Sequence, residues 1–174
     1  FTSTTSNPFL RVLDNSKVLG HYYDGFGQMI LNKGYQGEGH DDSHPDYAEV
    51  GIRQGGAKDF NILGEAGEAY NVKTGIHINA TEYMLDAVNT KLENLQGGEL
   101  GKLNHGWAWL DASYHVDQMK DLESGELERR LNDLAEAVPT LDFTYVDVYY
   151  RSDYHSKKFA ELLNRNWTLA TEFC

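Results

Sequence analysis

The stretch from Leu141 to Cys174 constrains this chain more than any other, because it reads as strand, helix and strand in close succession. The run LDFTYVDVYY is β-branched and aromatic, the composition that suits a strand. Residues 157–166 then carry Phe159, Leu162 and Leu163 at helical spacing, and residues 167–173 (WTLATEF) form a second short apolar run. Two strands joined through a helix must lie parallel, since a hairpin cannot hold a crossover. The chain is thereby committed to parallel α/β architecture.

Each of these strands has one acid near its carboxyl end, Asp147 and Glu172. Parallel α/β sheets and barrels bind ligands at the carboxyl ends of their strands. Neighbouring strands lie about 4.8 Å apart, so two such acids can face one pocket at roughly the 5 Å separation of a retaining glycosidase pair. The plainer alternative is that they cap helices or pair with Arg151 or Arg165.

Upstream, the chain alternates in the same way. Residues 1–16 are Ser/Thr-rich around Pro8 and read as loop or edge, and residues 17–23 (KVLGHYY) as a strand, with Gln28–Leu31 continuing it after the Gly25/Gly27 break. Residues 57–69 read as a crossover helix, and residues 70–80 as a strand in which Ile76 and Ile78 alternate with His77 and Asn79. Residues 82–95 place Met84, Leu85, Val88, Leu92 and Leu95 on one helical stripe. Residues 121–138 form the clearest helix, with Ser124 as N-cap, Leu127, Leu131, Leu134 and Val138 on one face, and Pro139 as its stop. Its Glu128, Arg129, Arg130, Asp133 and Glu136 read as a solvated face. The order predicts parallel α/β architecture of the (β/α)8 barrel type, with four to five βα units in residues 1–174, roughly half a barrel within one domain. A complete barrel takes about 250 residues, and an opening at Phe1 instead of Met suggests a piece of something larger.

Two polar segments stand out. In GYQGEGHDDSHPDY, residues 34–47, almost nothing is aliphatic, so the segment lies on the surface or lines a site. His40, Asp41, Asp42, His44 and Asp46 suit a divalent ion by type; they equally suit a loop gripping sugar hydroxyls, or a solvated turn. In NHGWAWLDASYHVD, residues 104–117, Trp107 and Trp109 either stack on a sugar face or pack against the barrel.

Composition narrows the partners. Net charge is −12 and the pI about 4.9, which argues against a nucleic-acid backbone as partner. A neutral glycan is compatible, and 11 Tyr and 3 Trp supply the amphipathic rings that suit one. No apolar run approaches the roughly 18 residues of a membrane helix, and the single Cys174 allows no internal disulfide.

Taken together, LDFTYVDVYY with WTLATEF, GIHINATE, GWAWLDASYHVD, GIRQGGAKDFN and KGYQGEGHDDSHPDY resemble the endo-α-N-acetylgalactosaminidases, bacterial glycoside hydrolases that release a disaccharide from mucin-type O-glycans on Ser or Thr. The resemblance implies a (β/α)8 barrel acting with retention and no cofactor or metal. It implies Asp147 as nucleophile and Glu172 as general acid/base, Asp41 and His40 as sugar contacts, and Trp107 and Trp109 as an aromatic lid. His77 and Asn79 would line the pocket. It also implies a secreted or cell-surface enzyme acting on O-glycosylated proteins. The family barrel continues beyond the acid/base glutamate, so the isolated chain is expected to be weakly active and to self-associate through exposed barrel edges. Two other readings remain: a glycan-binding fragment without turnover, and a metal-dependent hydrolase built on the His40–Asp46 loop.

Overall fold

The computed structural model describes residues 7–37, 39, 41, 43–108, 112–148 and 154–172. The chain opens with helix α1 (Phe9–Tyr22), then strand β1 (Gln28–Asn32), helix α2 (Gly56–Gly67) and strand β2 (Val72–Asn79). A short antiparallel pair follows, β3 (Glu82–Met84) and β4 (Ser113–His115). Helices α3 (Gln118–Glu123) and α4 (Glu126–Ala137) then lead into β5 (Phe143–Asp147), α5 (Tyr154–Leu163) and β6 (Thr168–Thr171).

The main sheet has the order β1-β2-β5-β6, and every neighbouring pair is parallel. Each strand lies beside its predecessor in the main sheet, which is the succession of a (β/α)8 barrel. Side-chain alternation gives the sheet two unlike faces. Ile76, Ile78 and Val146, all buried, join Phe60 and Leu63 of α2, Leu127, Leu131 and Leu134 of α4, and Phe159 and Leu163 of α5 in one core. Gly75, His77 and Asn79 take the other face beside Phe143, Tyr145 and Asp147. Gly75 is required there: a Cβ would stand 2.2 Å from the Phe143 ring.

The C-terminal strand, helix and strand are as the sequence predicts, as are α2 and β2. Other elements differ, each for a physical reason. Residues 9–22 are helical, not a loop and a strand: Phe9, Leu13, Ser16 and Gly20 form a buried stripe facing α2, with the Phe9 ring edge-on to Phe60 at 5.1 Å. The expected helix over 82–95 is replaced by β3, a turn and a single 3-10 turn at Leu92–Asn94. The cause is Asp46, whose carboxylate accepts the backbone N–H groups of Val88 (2.7 Å) and Asn89 (2.8 Å). Val88 is left 86% exposed. The long helix over 121–138 is broken at Gly125, whose φ of 78° a left-handed residue supplies. Ser124 is not the N-cap expected of it: Gly125 takes that position with no side-chain cap bond, while Ser124 ends α3 and its Oγ accepts the Glu126 N–H at 3.3 Å.

Arg130 departs most from expectation. It is 2% exposed instead of solvated. Its guanidinium donates to Asp121 at 2.5 Å and to the Tyr83 hydroxyl at 3.0 Å, and Tyr83 donates to the same Asp121 oxygen at 2.7 Å. This buried network ties the β3–β4 pair to α4. Arg165, an alternative partner for the strand-end acids, pairs with Glu128 on α4; Arg151 lies outside the described residues.

Candidate active site at the strand ends

Asp147 is the last residue of β5, and Glu172 follows β6 directly. The register pairs Val146 with Thr171, so the two acids are the next residues on adjacent parallel strands and share a face. Two backbone contacts hold this end closed: the Glu172 N–H donates to the Val146 carbonyl at 3.3 Å, and the Val148 N–H donates to Glu172 Oε2 at 3.2 Å. Val148 does so at φ 52°, a left-handed conformation that costs a β-branched residue about 1–3 kcal/mol. Strain of that kind immediately after an acid at a strand end is characteristic of functional sites. Tyr145, two residues before Asp147 and on the same face, has its hydroxyl pushed up by burial and then by the negative charges of Glu172 and Asp147. It stays a neutral donor beside them.

A second group converges on the same end. His77 Nε2 on β2 lies 2.9 Å from Asp41 Oδ1 and 3.9 Å from Asp147 Oδ2, and its ring stacks on Tyr145 at 5.9 Å. His44 Nε2 lies 3.3 Å from the same Asp41 oxygen. Asp41, His44 and His77 are all buried. Burial lowers the His44 pKa, against the opposing pull of Asp41, so the ring is held neutral. The loop carrying Asp41 and His44 is anchored from both sides. The His44 carbonyl accepts the Met84 N–H at 2.9 Å, and the Tyr47 hydroxyl donates to the Asn79 carbonyl at 2.9 Å.

Asp41, His44 and His77 are also the three described residues whose ligand atoms, all within 4.8 Å of one another, are placed to hold a metal ion. The ligand set expected from the loop alone is therefore corrected. Asp46 is turned away, its carboxylate engaged by Val88 and Asn89, and His77 from β2 takes its place. His40 and Asp42 lie outside the described residues.

Asn79 stands opposite Asp147 in the register but is committed to its own turn. Its Oδ1 accepts from the Thr81 N–H and hydroxyl, both at 2.7 Å, and its Nδ2 donates to Glu82 at 3.0 Å. These bonds close the β2–β3 turn beside Asp147. Glu82 is thereby drawn to the strand ends, with its other oxygen 3.3 Å from His115 Nδ1 on β4. Trp107 follows Gly106, whose position against Glu82 and Ser113 leaves no room for a Cβ, and is 64% exposed. Trp109 lies outside the described residues.

Tyr145 and Glu82 escape a reading of the sequence by acid spacing. Tyr145 was accessible from strand alternation, since i and i+2 share a face. Glu82 was not, because its segment carries a helical pattern. Among the described residues, no helix is long and apolar enough to cross a membrane.

Comparison with known proteins identifies the family and the fold. The family model described as endo-α-N-acetylgalactosaminidase matches residues 1–174. A relative from Renibacterium salmoninarum, provisionally named as that enzyme, is 39% identical over 99% of this chain, which spans 11% of that relative's length. Among solved structures, ligand-free α-N-acetylgalactosaminidase NagBb from Bifidobacterium bifidum superposes with a TM-score of 0.79 at 18% identity, covering 97% of this chain and 31% of that one. A maltogenic α-amylase, AmyB from Thermotoga neapolitana, superposes at 0.70 with 15% identity, over 97% of this chain and 43% of that one. At these identities the structural likenesses report the shared fold.

Proposed function

The chain belongs to the endo-α-N-acetylgalactosaminidase family of glycoside hydrolases, and we propose that the protein carrying it releases Gal-β1,3-GalNAc from Ser- or Thr-linked mucin-type O-glycans with retention of configuration. The observation that carries this reading is the placement of Asp147 and Glu172 at the carboxyl ends of adjacent parallel strands, on one face. Strand spacing of about 4.8 Å sets such carboxyls close to the 5–5.5 Å of a retaining pair, and short of the roughly 6.5–9.5 Å that an inverting pair needs to admit water.

In the first half-reaction Asp147, as carboxylate, attacks the anomeric carbon through an oxocarbenium-like transition state. Glu172, protonated, donates to the departing Ser or Thr oxygen. The glycosyl–Asp147 ester is then hydrolysed by water, whose proton Glu172 takes, so both groups return to their starting states. His77, with Nε2 3.9 Å from Asp147 Oδ2, and Tyr145, whose ring stacks on His77, flank the nucleophile. Asp41 accepts from sugar hydroxyls, and Trp107 offers a ring face to the disaccharide. The acidic chain suits a neutral glycan on an O-glycosylated protein, met outside the cell.

The test is release of disaccharide from an aryl α-glycoside of Gal-β1,3-GalNAc by the complete protein and its Asp147→Asn variant. Activity that falls more than about 10³-fold in the variant supports the nucleophile. Undiminished release by the variant overturns its role.

A further inference from the structure

We propose that His44 and His77 are positioning residues that fix the plane of the Asp41 carboxylate for sugar recognition, and that His77 couples this acceptor to the nucleophile Asp147. The proposal rests on the glycosidase reading above and deepens it.

The starting point is His44. It is 1% exposed, and neither ring nitrogen makes a hydrogen bond of full geometry. A buried imidazole in that state is costly, and an apolar side chain would fill the space at less expense. The polar atom it approaches is Asp41 Oδ1, 3.3 Å from Nε2. Contacts of this kind are often long or misaligned before substrate arrives and tighten in its complex.

Asp41 needs such support. It sits at φ 61° in a loop outside any strand or helix, so no regular backbone sets the direction of its carboxylate. One carboxylate oxygen accepts two N–H donors, and two imidazoles in the Nε2–H tautomer supply them. Their own positions are fixed independently. His77 belongs to the central strand β2 and stacks on Tyr145, while the His44 ring packs against Tyr47 at 5.8 Å and its carbonyl is held by Met84. The two histidines differ in reach. His44 touches Asp41, whereas His77 stands between Asp41 at 2.9 Å and Asp147 at 3.9 Å.

That difference gives the test its readout. In the complete protein, assayed on the aryl disaccharide α-glycoside, His44→Phe keeps the ring and removes the N–H. It raises KM about 10- to 100-fold, the cost of one hydrogen bond to a charged group, with kcat within about threefold. His44→Gln, which can still donate, recovers part of the loss. His77→Phe raises KM and lowers kcat together. A panel of monodeoxy analogues separates positioning from mere support of the fold. On the analogue for which Asp41→Asn is silent, His44→Phe is silent too, because the hydroxyl served by Asp41 is gone.

An equal penalty on every analogue, or an unchanged KM, overturns the proposal. So does a stoichiometric divalent metal in the wild-type protein that His44→Phe removes, since Asp41 Oδ1 would then be a ligand. If His44→Phe fails to fold, His44→Gln carries the same comparison, with a shift confined to the Asp41 hydroxyl as support and a uniform shift as refutation. A wild type that binds the glycoside without cleaving it refutes the catalytic reading alone, and the panel is then read as dissociation constants.

Discussion

Arg130→Met tests how the site's framework is held. The guanidinium and Asp121 are each 2% exposed, and their contact of 2.5 Å is reinforced by Tyr83. Removing the cation strands a buried carboxylate, which typically costs 3–5 kcal/mol. Asp121 would retain two donors, the Tyr83 hydroxyl at 2.7 Å and Asn94 Nδ2 at 3.0 Å, so the expected cost is the low end, about 3 kcal/mol. Burial holds Tyr83 and the neighbouring Tyr47 neutral, Tyr47 pushed up to about 12, so neither adds a second negative charge beside Asp121. For a domain of this size, about 3 kcal/mol corresponds to a melting temperature roughly 6–12 °C lower. Calorimetry and urea unfolding measure it, and Asp121→Leu combined with Arg130→Met completes a cycle. The double variant should recover about 2 kcal/mol or more, because it leaves no buried charge unpaired. A single-variant loss below about 1 kcal/mol, or a cycle without coupling, would refute the view that this ion pair locks the β3–β4 pair to α4.

Three further expectations follow from the geometry. Glu172→Ala should slow substrates with poor leaving groups far more than those with activated aryl groups, because only the former need a proton; equal slowing would show that Glu172 is not the acid. Gly75→Ala should destabilise by about 1–3 kcal/mol through collision with the Phe143 ring, and Phe143→Leu should return part of that; denaturant midpoints measure both. Stability should be complete above pH 6.5 and fall as the pH drops below it. The unfolded chain takes up a proton at His44 that the folded chain, with its lowered pKa, resists, giving a slope of up to about 1.4 kcal/mol per pH unit. That component, set among Asp41, His77 and Asp147, should vanish in His44→Phe.

The legible parts of the sequence were those in which local pattern and tertiary context agree. LDFTYVDVYY and WTLATEF are strands by composition and strands in the fold, and their end acids share a face because both strands run the same way. Where context decides, local pattern misleads. KVLGHYY has the composition of a strand, yet the chain there follows the 4-3-4 spacing of Phe9, Leu13, Ser16 and Gly20 against α2. The helical stripe of residues 82–95 yields to one carboxylate, Asp46, some 40 residues away in sequence, which captures two backbone N–H groups. Arg130 sits among acids and looks solvated, and only the fold brings Asp121 and Tyr83 around it. The convergence of His44 and His77 on Asp41 was invisible for the same reason, since it joins a loop to a strand more than 30 residues away.

The central claim is that Asp147 and Glu172 act as a nucleophile and acid/base pair on adjacent strands. Proton NMR of the first product formed by the complete protein from the aryl disaccharide α-glycoside tests it most directly. Initial accumulation of the α-anomer, before mutarotation, is the result predicted for attack by Asp147 followed by attack of water on the same carbon. Initial accumulation of the β-anomer would mean a single displacement by water, and would contradict the account.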